Sequence, residues 1–330
     1  MRAAGRAGRG LRAGVLGAAV AAALLAGRPA PAVQPASPAA PSDAASPANA
    51  ALPTDAPAPT ASAAAAGPAV PVLIYHQLVD RPTAGKPLGE TVVTLAQFGQ
   101  QMRYLAEHGY TPISLSALAR HLEAGAPVPD RPVVLTFDDG WRSALRAVPL
   151  LERHGFRASF WIIAGPGGIG GAYMDWGDVA RLASHPLFEI GSHTLSHPGR
   201  PSDNLVAWTR PGASAAQVAR ARHELVESRR VLERRLGRPV QALAWPRGWY
   251  NDTLVALARD AGYRMLLTTE DGLNAPGGDA LRVRRRFVYG ECDLDAFARA
   301  LTDPDRGGCP QARRVTEGRL PPGPRARAGS

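Results

Sequence analysis

The run Val133-Val134-Leu135-Thr136-Phe137 stops abruptly at Asp138-Asp139-Gly140. An apolar stretch of this length, with β-branched residues and a glycine turn behind it, reads as a buried strand. Two neighbouring carboxylates at the end of such a strand repel one another and lose hydration. A bound cation, or a proton shared with a substrate, relieves that strain. A solvated Asp-Asp-Gly turn is the plain alternative, so the meaning of the pair depends on what else the fold brings to the same end.

The pattern of a short apolar run followed by a helical segment recurs. Strands are expected at about 70–76, 133–137, 158–163, 188–193, 240–245, 263–268 and 283–288. Helices are expected at about 95–108, 114–123, 143–154, 176–183, 215–236, 252–261 and 294–301, with Gly109, Gly155 and Gly237 as stops. The longest carries Val218, Leu225, Leu232 and Leu236 on one face. Alternation of this kind builds parallel βα units. About seven strands predict an α/β fold, a distorted (β/α)7-type barrel in a single domain, with a doubly wound open sheet as the competing architecture.

The ends of the chain read differently. Arg2, Arg6, Arg9 and Arg12 surround and precede an Ala/Leu/Val-rich stretch from Leu11 to Ala26, and Ala30-Pro31-Ala32 offers a small-residue cleavage site. Residues 1–32 therefore read as a signal peptide for a periplasmic or secreted protein, and an uncleaved anchor is the alternative. Residues 33–69 are an Ala/Pro-rich linker expected to be disordered, and 304–330 a disordered basic tail, which leaves 70–303 for the folded domain. The formal net charge of +10 lies mostly in these two ends. No basic stripe interleaved with aromatics occurs in the domain, which argues against a nucleic-acid partner; a monomer with no stable membrane span after signal cleavage is expected. The two cysteines, Cys292 and Cys309, either pair or stay free, because spacing alone does not fix their geometry.

In a parallel barrel the C-terminal strand ends converge on one face. Four ends carry reactive groups: His76, Asp138 with Asp139, His193 with His197, and Pro246-Arg247-Gly248. The spacing His193-Thr194-Leu195-Ser196-His197 would set two imidazoles on one face of a helical turn. Adding one carboxylate gives three protein ligands and leaves positions open for water and substrate, as catalytic metals require.

Thr136-Phe137-Asp138-Asp139-Gly140 and Ser192-His193-Thr194-Leu195-Ser196-His197-Pro198 resemble the first two motifs of the polysaccharide deacetylase family (carbohydrate esterase family 4, the NodB homology domain). The order from Tyr75-His76 through Trp176 to the arginine-rich last strand is similar to the branch containing poly-β-1,6-N-acetylglucosamine N-deacetylases. The resemblance implies a metal-dependent hydrolase that removes N-acetyl groups from N-acetylhexosamine residues of an acetylated polysaccharide. It implies Asp139, His193 and His197 as metal ligands, for Zn²⁺ or else Co²⁺, Ni²⁺ or Fe²⁺, and Asp138 as catalytic base. It implies His76 as the acid, since no histidine follows His223, and the backbone N–H of Arg247 as an oxyanion donor. Ala244-Trp245-Pro246-Arg247-Gly248 departs from the family's R-x-P-Y/F-G. An arginine of the last strand, Arg285 with Arg284 close behind, is then expected to orient the base. Trp249 and Tyr250 are the expected sugar contacts, while Trp176 and Trp245 suit either core or substrate. An O-acetyl esterase and a non-catalytic glycan-binding module on the same fold are the alternatives.

Overall fold

A computed structural model describes residues 67–81 and 91–304. The expected signal peptide, most of the linker and the tail beyond residue 304 lie outside the described residues, as does Cys309 and with it the Cys292–Cys309 pairing.

Seven strands form the continuous path of the central sheet, β1 (Val72–Tyr75), β2 (Pro132–Phe137), β3 (Ala158–Ile162), β4 (Phe188–Ser192), β5 (Ala242–Ala244), β6 (Met265–Leu267) and β7 (Arg286–Phe287), and the short strand Thr111–Pro112 joins off it beside β2. All are parallel and adjacent in chain order from β1 to β6, and β7 returns to pair with the far side of β1. Leu267 also bridges to Val283, just ahead of β7, so the chain from 283 to 287 touches both edges of the sheet. The result is the distorted (β/α)7 barrel that the strand count predicts.

The expected strand at 283–288 is split: Val283 bridges to Leu267, and Arg286–Phe287 pairs with β1. The backbone between them turns away: Arg284 N donates to Asn274 Oδ1 at 2.9 Å and Arg285 N to the Glu270 carbonyl at 2.9 Å. Those bonds go to the 270–274 loop, not to a neighbouring strand, and they interrupt the last strand at Arg284–Arg285.

The helices are α1 (Leu95–Glu107), α2 (Leu115–Ala124), α3 (Val148–His154), α4 (Trp176–Ser184), α5 (Leu205–Thr209), α6 (Ala215–Leu236), α7 (Asp252–Asp260) and α8 (Leu294–Thr302). Thr94 with Gln97, and Ser214 with Gln217, close reciprocal capping boxes on α1 and α6. The helix expected over 143–154 begins as a tighter turn at Arg142–Ala147 and becomes α-helical only at Val148. Pro149 has no N–H to donate, so it suits the first turn of a new helix. Four features had no clear sequence signal: α5, capped by Asn204; a two-residue hairpin pairing Gly199–Arg200 with Asp203–Asn204; the parallel pair Gln77–Val79 with Val92–Thr94; and the strand Thr111–Pro112.

Side chains alternate across each strand. Val72, Val134, Trp161, Ala244, Met265, Leu267 and Val283 cluster with Leu115, Leu118 and Leu122 of α2. On the opposite face Leu73, Tyr75, Leu135, Phe137, Phe160 and Ile162 pack against Phe98, Met102 and Leu105 of α1. Trp161 is wholly buried, and its ring takes the space beside Gly191, where a Cβ would come within 2.0 Å. That strand position therefore tolerates only glycine, and truncating Trp161 to alanine would cost about 3–5 kcal/mol. The same alternation carries polar residues to the C-terminal mouth. Ile74 pairs with Thr136 and Tyr75 with Phe137, so His76 and Asp138 follow at the same level of the ladder.

Candidate active site

Asp139 follows β2, His193 follows β4 directly, and His197 lies four residues further on. Asp139 Oδ1 is 3.2 Å from His193 Nε2 and 3.5 Å from His197 Nε2. One donor atom from each of the three lies within 4.8 Å of the others. A tetrahedral ion bound at about 2.0–2.1 Å needs donors about 3.3 Å apart, which the two carboxylate–imidazole distances match. His193 Nδ1 lies 2.8 Å from the Ala244 carbonyl oxygen. That oxygen can only accept, so Nδ1 carries a proton and Nε2 is the ring atom that faces the ligand cluster.

The two histidines do not sit on a helical turn, contrary to what their spacing suggests. The stretch leaves the sheet as a loop in which Thr194 and His197 take left-handed φ of 66° and 53°. Glu224 of α6 fixes it. One carboxylate oxygen accepts from the N–H groups of Leu195 (3.0 Å) and Ser196 (2.8 Å), and the other from Ser196 Oγ (2.6 Å). Thr194 Oγ1 accepts from His197 N at 3.1 Å. These bonds satisfy the N–H groups locally and leave no call for helical ones. Among the described residues four non-glycine residues have positive φ: Asp139, Thr194, His197 and Arg247. All belong to the strand-end segments around this mouth, the usual place for backbone strain held by its surroundings.

Asp138 is held from the opposite side. Arg285 Nη1 and Nη2 donate to its two carboxylate oxygens at 2.7 and 2.9 Å, and both side chains are almost wholly buried. Arg285 is itself pinned, donating from Nε to the Thr268 carbonyl at 2.8 Å and from Nη1 to Thr136 Oγ1 at 3.3 Å. Of the two arginines weighed for this position, Arg285 occupies it; the Arg284 side chain runs instead past Gly272.

Electrostatics separate the groups. Burial pushes the Asp138 carboxyl up, but the Arg285 guanidinium, with His193 and His76, outweighs it and holds the group below its usual range. Burial likewise works against Asp139, and its hydrogen bond with His193 and the nearby histidines bring it well below that range. Burial would lower His193, yet the bond to Asp139 and the two carboxylate charges raise it above an ordinary histidine. His197 is lowered to about 4, mainly by burial and then by His193, so near neutral pH it offers a free lone pair. His76 is also lowered, chiefly by burial, although Asp138 and Asp139 pull the other way. Its ring stacks on Phe287 with centroids 6.0 Å apart.

The remaining sequence candidates spread along the rim. Arg247 is exposed, with its side chain alongside Gly199 and its guanidinium 5.9 Å from the centre of the half-buried Trp249 ring. Tyr250 stacks on Trp245, and its hydroxyl donates to Glu270 at 2.6 Å. Trp245 is fully buried, and Trp176 packs against the main core beneath the Arg235 guanidinium. Both are packing residues.

Two further groups bear on the site without having stood out in the sequence. Glu224 lies mid-helix, far from either motif in sequence, and nothing marks it. Trp141 donates from Nε1 to Asp139 Oδ2 at 2.9 Å. An aromatic directly after Asp-Asp-Gly was the available signal.

Two histidines and a carboxylate that could hold a cation thus lie beside a second carboxylate locked by arginine, at the mouth of the parallel barrel. Residues 125–266, which run from β2 into β6, match the family model described as polysaccharide deacetylase. The chain is 28% identical over 233 residues to the poly-β-1,6-N-acetyl-D-glucosamine N-deacetylase of Escherichia coli K12, covering 61% of this chain and 34% of that one. A protein of Bacillus subtilis named as a polysaccharide deacetylase is 24% identical over 204 residues, covering 62% and 65%. The chain thus spans only part of the length of both curated relatives. Among solved structures, a deacetylase of Streptococcus pyogenes in complex with acetate shares the fold, with a TM-score of 0.62 at 23% identity, covering 72% of this chain and all of that one. No helix among the described residues is long and apolar enough to cross a membrane.

Proposed function

We propose that this protein is a metal-dependent polysaccharide N-deacetylase, exported through the signal peptide at residues 1–32 and acting outside the cytoplasm. Its substrate is a polymer of N-acetylhexosamine of the poly-N-acetylglucosamine type. The observation that carries the reading is the pairing of two differently held carboxylates. Asp139 faces His193 and His197, while Asp138, its neighbour in the chain, is clamped through both oxygens by Arg285.

A divalent ion, Zn²⁺ by the nitrogen-rich donor set, would polarise the acetyl carbonyl and acidify a water. Every other role falls to the chain. His193 and His197 would offer their Nε2 atoms to the ion, the first oriented by the bond from its Nδ1 to Ala244. Asp138, ionised and oriented, accepts the proton of the attacking water. His76, level with Asp138 at the end of β1, gives a proton to the departing amine, so the C–N bond breaks to a free amine and acetate. Its lowered basicity makes the protonated ring a strong acid at the cost of a smaller protonated fraction. The N–H of Arg247 is aimed at the oxyanion, and Trp249 and Tyr250 contact the sugar.

Acetate release from a panel of N- and O-acetylated glycans tests the proposal. The expected result is release from an N-acetylated polymer that falls by about 10²–10⁴ in Asp138→Asn. Release from O-acetylated glycans alone would convert the reading to an esterase. A protein that binds the polymer but frees no acetate would convert it to a binding module.

A further inference from the structure

Asp139 has two oxygens, and the chain treats them differently. Oδ1 faces the two histidine Nε2 atoms at 3.2 and 3.5 Å. Oδ2 accepts the Trp141 indole N–H at 2.9 Å. The donor is well fixed. Trp141 forms an isolated antiparallel bridge with Tyr173, and their rings stack with centroids 4.5 Å apart. The flanking backbone is stitched to the same loop, with Arg142 N donating to Ala172 O at 2.9 Å and Met174 N to Gly140 O at 2.8 Å. The indole N–H groups of Trp161 and Trp245 are buried without any partner, so this fold does not satisfy every tryptophan by default.

We propose that Trp141 is a positioning residue for the metal ligand Asp139: its indole N–H holds Oδ2 away from the ion and limits the carboxylate to a single ligating oxygen. The proposal rests on the assignment of Asp139, His193 and His197 as ligands. An ion held by one oxygen and two nitrogens keeps open positions for water and the acetyl oxygen. A carboxylate free to rotate would chelate with both oxygens and fill one of them. Trp141 also completes a division between the neighbouring acids: both oxygens of Asp138 are fixed by Arg285, and one oxygen of Asp139 is fixed by Trp141.

Trp141→Phe keeps the ring and its stacking on Tyr173 but removes the donor. Metal affinity is read by titrating chelated full-length protein with Zn²⁺, and coordination by the visible spectrum of the Co²⁺ form. Loss of an outer hydrogen bond to a ligand weakens metal binding about 10–100-fold, and Trp141→Phe is expected in that range. Its Co²⁺ bands should also weaken, because added carboxylate ligation raises the coordination number. Tyr173→Phe, which keeps both stacking and the indole, should match the wild type in both readings. In the wild type itself, the Trp141 indole N–H resonance should move on zinc addition while that of Trp208, bonded to Asp203 at 2.8 Å, does not; this reading holds even if Trp141→Phe fails to fold. Unchanged affinity and spectrum in Trp141→Phe, or an indole signal indifferent to zinc, would overturn the role of Trp141 alone. A wild type whose metal affinity survives His193→Ala would overturn the ligand assignment beneath it.

Discussion

Replacing Arg285 by methionine removes one half of a buried ion pair and leaves the other half in place. The Arg285 side chain has no exposed surface and Asp138 only 5%. Breaking such a pair from one side costs about 3–5 kcal/mol, because the surviving charge is stranded without water. The Thr268 carbonyl and Thr136 Oγ1 lose a donor as well. For a domain of this size that loss corresponds to a fall in Tm of roughly 6–20 °C. The pH dependence identifies the cause. In the wild type the folded Asp138 pKa lies below its unfolded value. Its contribution is therefore complete above the unfolded pKa and is lost as pH falls through the folded one. In Arg285→Met the guanidinium is gone and burial, the largest influence, is opposed only by His193 and His76, so the folded pKa rises. Ionisation then opposes folding at neutral pH, and protonation relieves the penalty. The difference in stability between the two proteins should consequently shrink as pH drops from 7 toward 4. Urea unfolding of the chelated proteins at several pH values measures it. The double variant Asp138→Asn/Arg285→Met should recover part of the loss, since no charge is left stranded. A cost under about 1 kcal/mol, as for an exposed pair, or one independent of pH, would refute the reasoning.

Other outcomes follow from the same geometry. His76→Ala should slow N-deacetylation far more than cleavage of an O-acetyl analogue, because an alkoxide departs with less need of a proton than an amine does; paired rate measurements on the two substrates check it. Glu224→Gln weakens the bonds that hold the Leu195–Ser196 backbone, and should raise the metal Kd while leaving the fold intact by circular dichroism. Arg247 stands exposed on the rim. Arg247→Tyr should reduce any preference for anionic over neutral acetylated glycans, measured as a ratio of kcat/KM values.

Much of the fold and the site is legible in the amino-acid sequence. Strand positions follow from apolar runs bounded by glycine and polar turns, and the order of those runs gives the barrel. Asp138, Asp139, His193 and His197 stand out because motif spacing and strand ends coincide. Arg285 is recognisable as a candidate because Ala244 stands where an arginine would otherwise orient the base, although only the fold separates it from Arg284. The His193–His197 spacing suggests a helical turn that the chain does not make. Spacing there cannot reveal a distant acid, Glu224, that takes over the local N–H groups. Trp141 is hidden for a related reason: its role depends on which oxygen of Asp139 it reaches, a matter of angles rather than order. The interruption of the last strand reflects competition from Asn274 and the Glu270 carbonyl, long-range partners that no periodicity encodes.

The central claim is that Asp139, His193 and His197 hold one ion that acetate release requires. Chelated protein titrated with Zn²⁺, with acetate release from an N-acetylhexosamine polymer followed at each step, tests it directly. The account predicts no release without metal, recovery that saturates at about one equivalent, and no recovery in Asp139→Ala or His193→Ala. Release that persists in metal-free protein, or that returns equally in those variants, would contradict it.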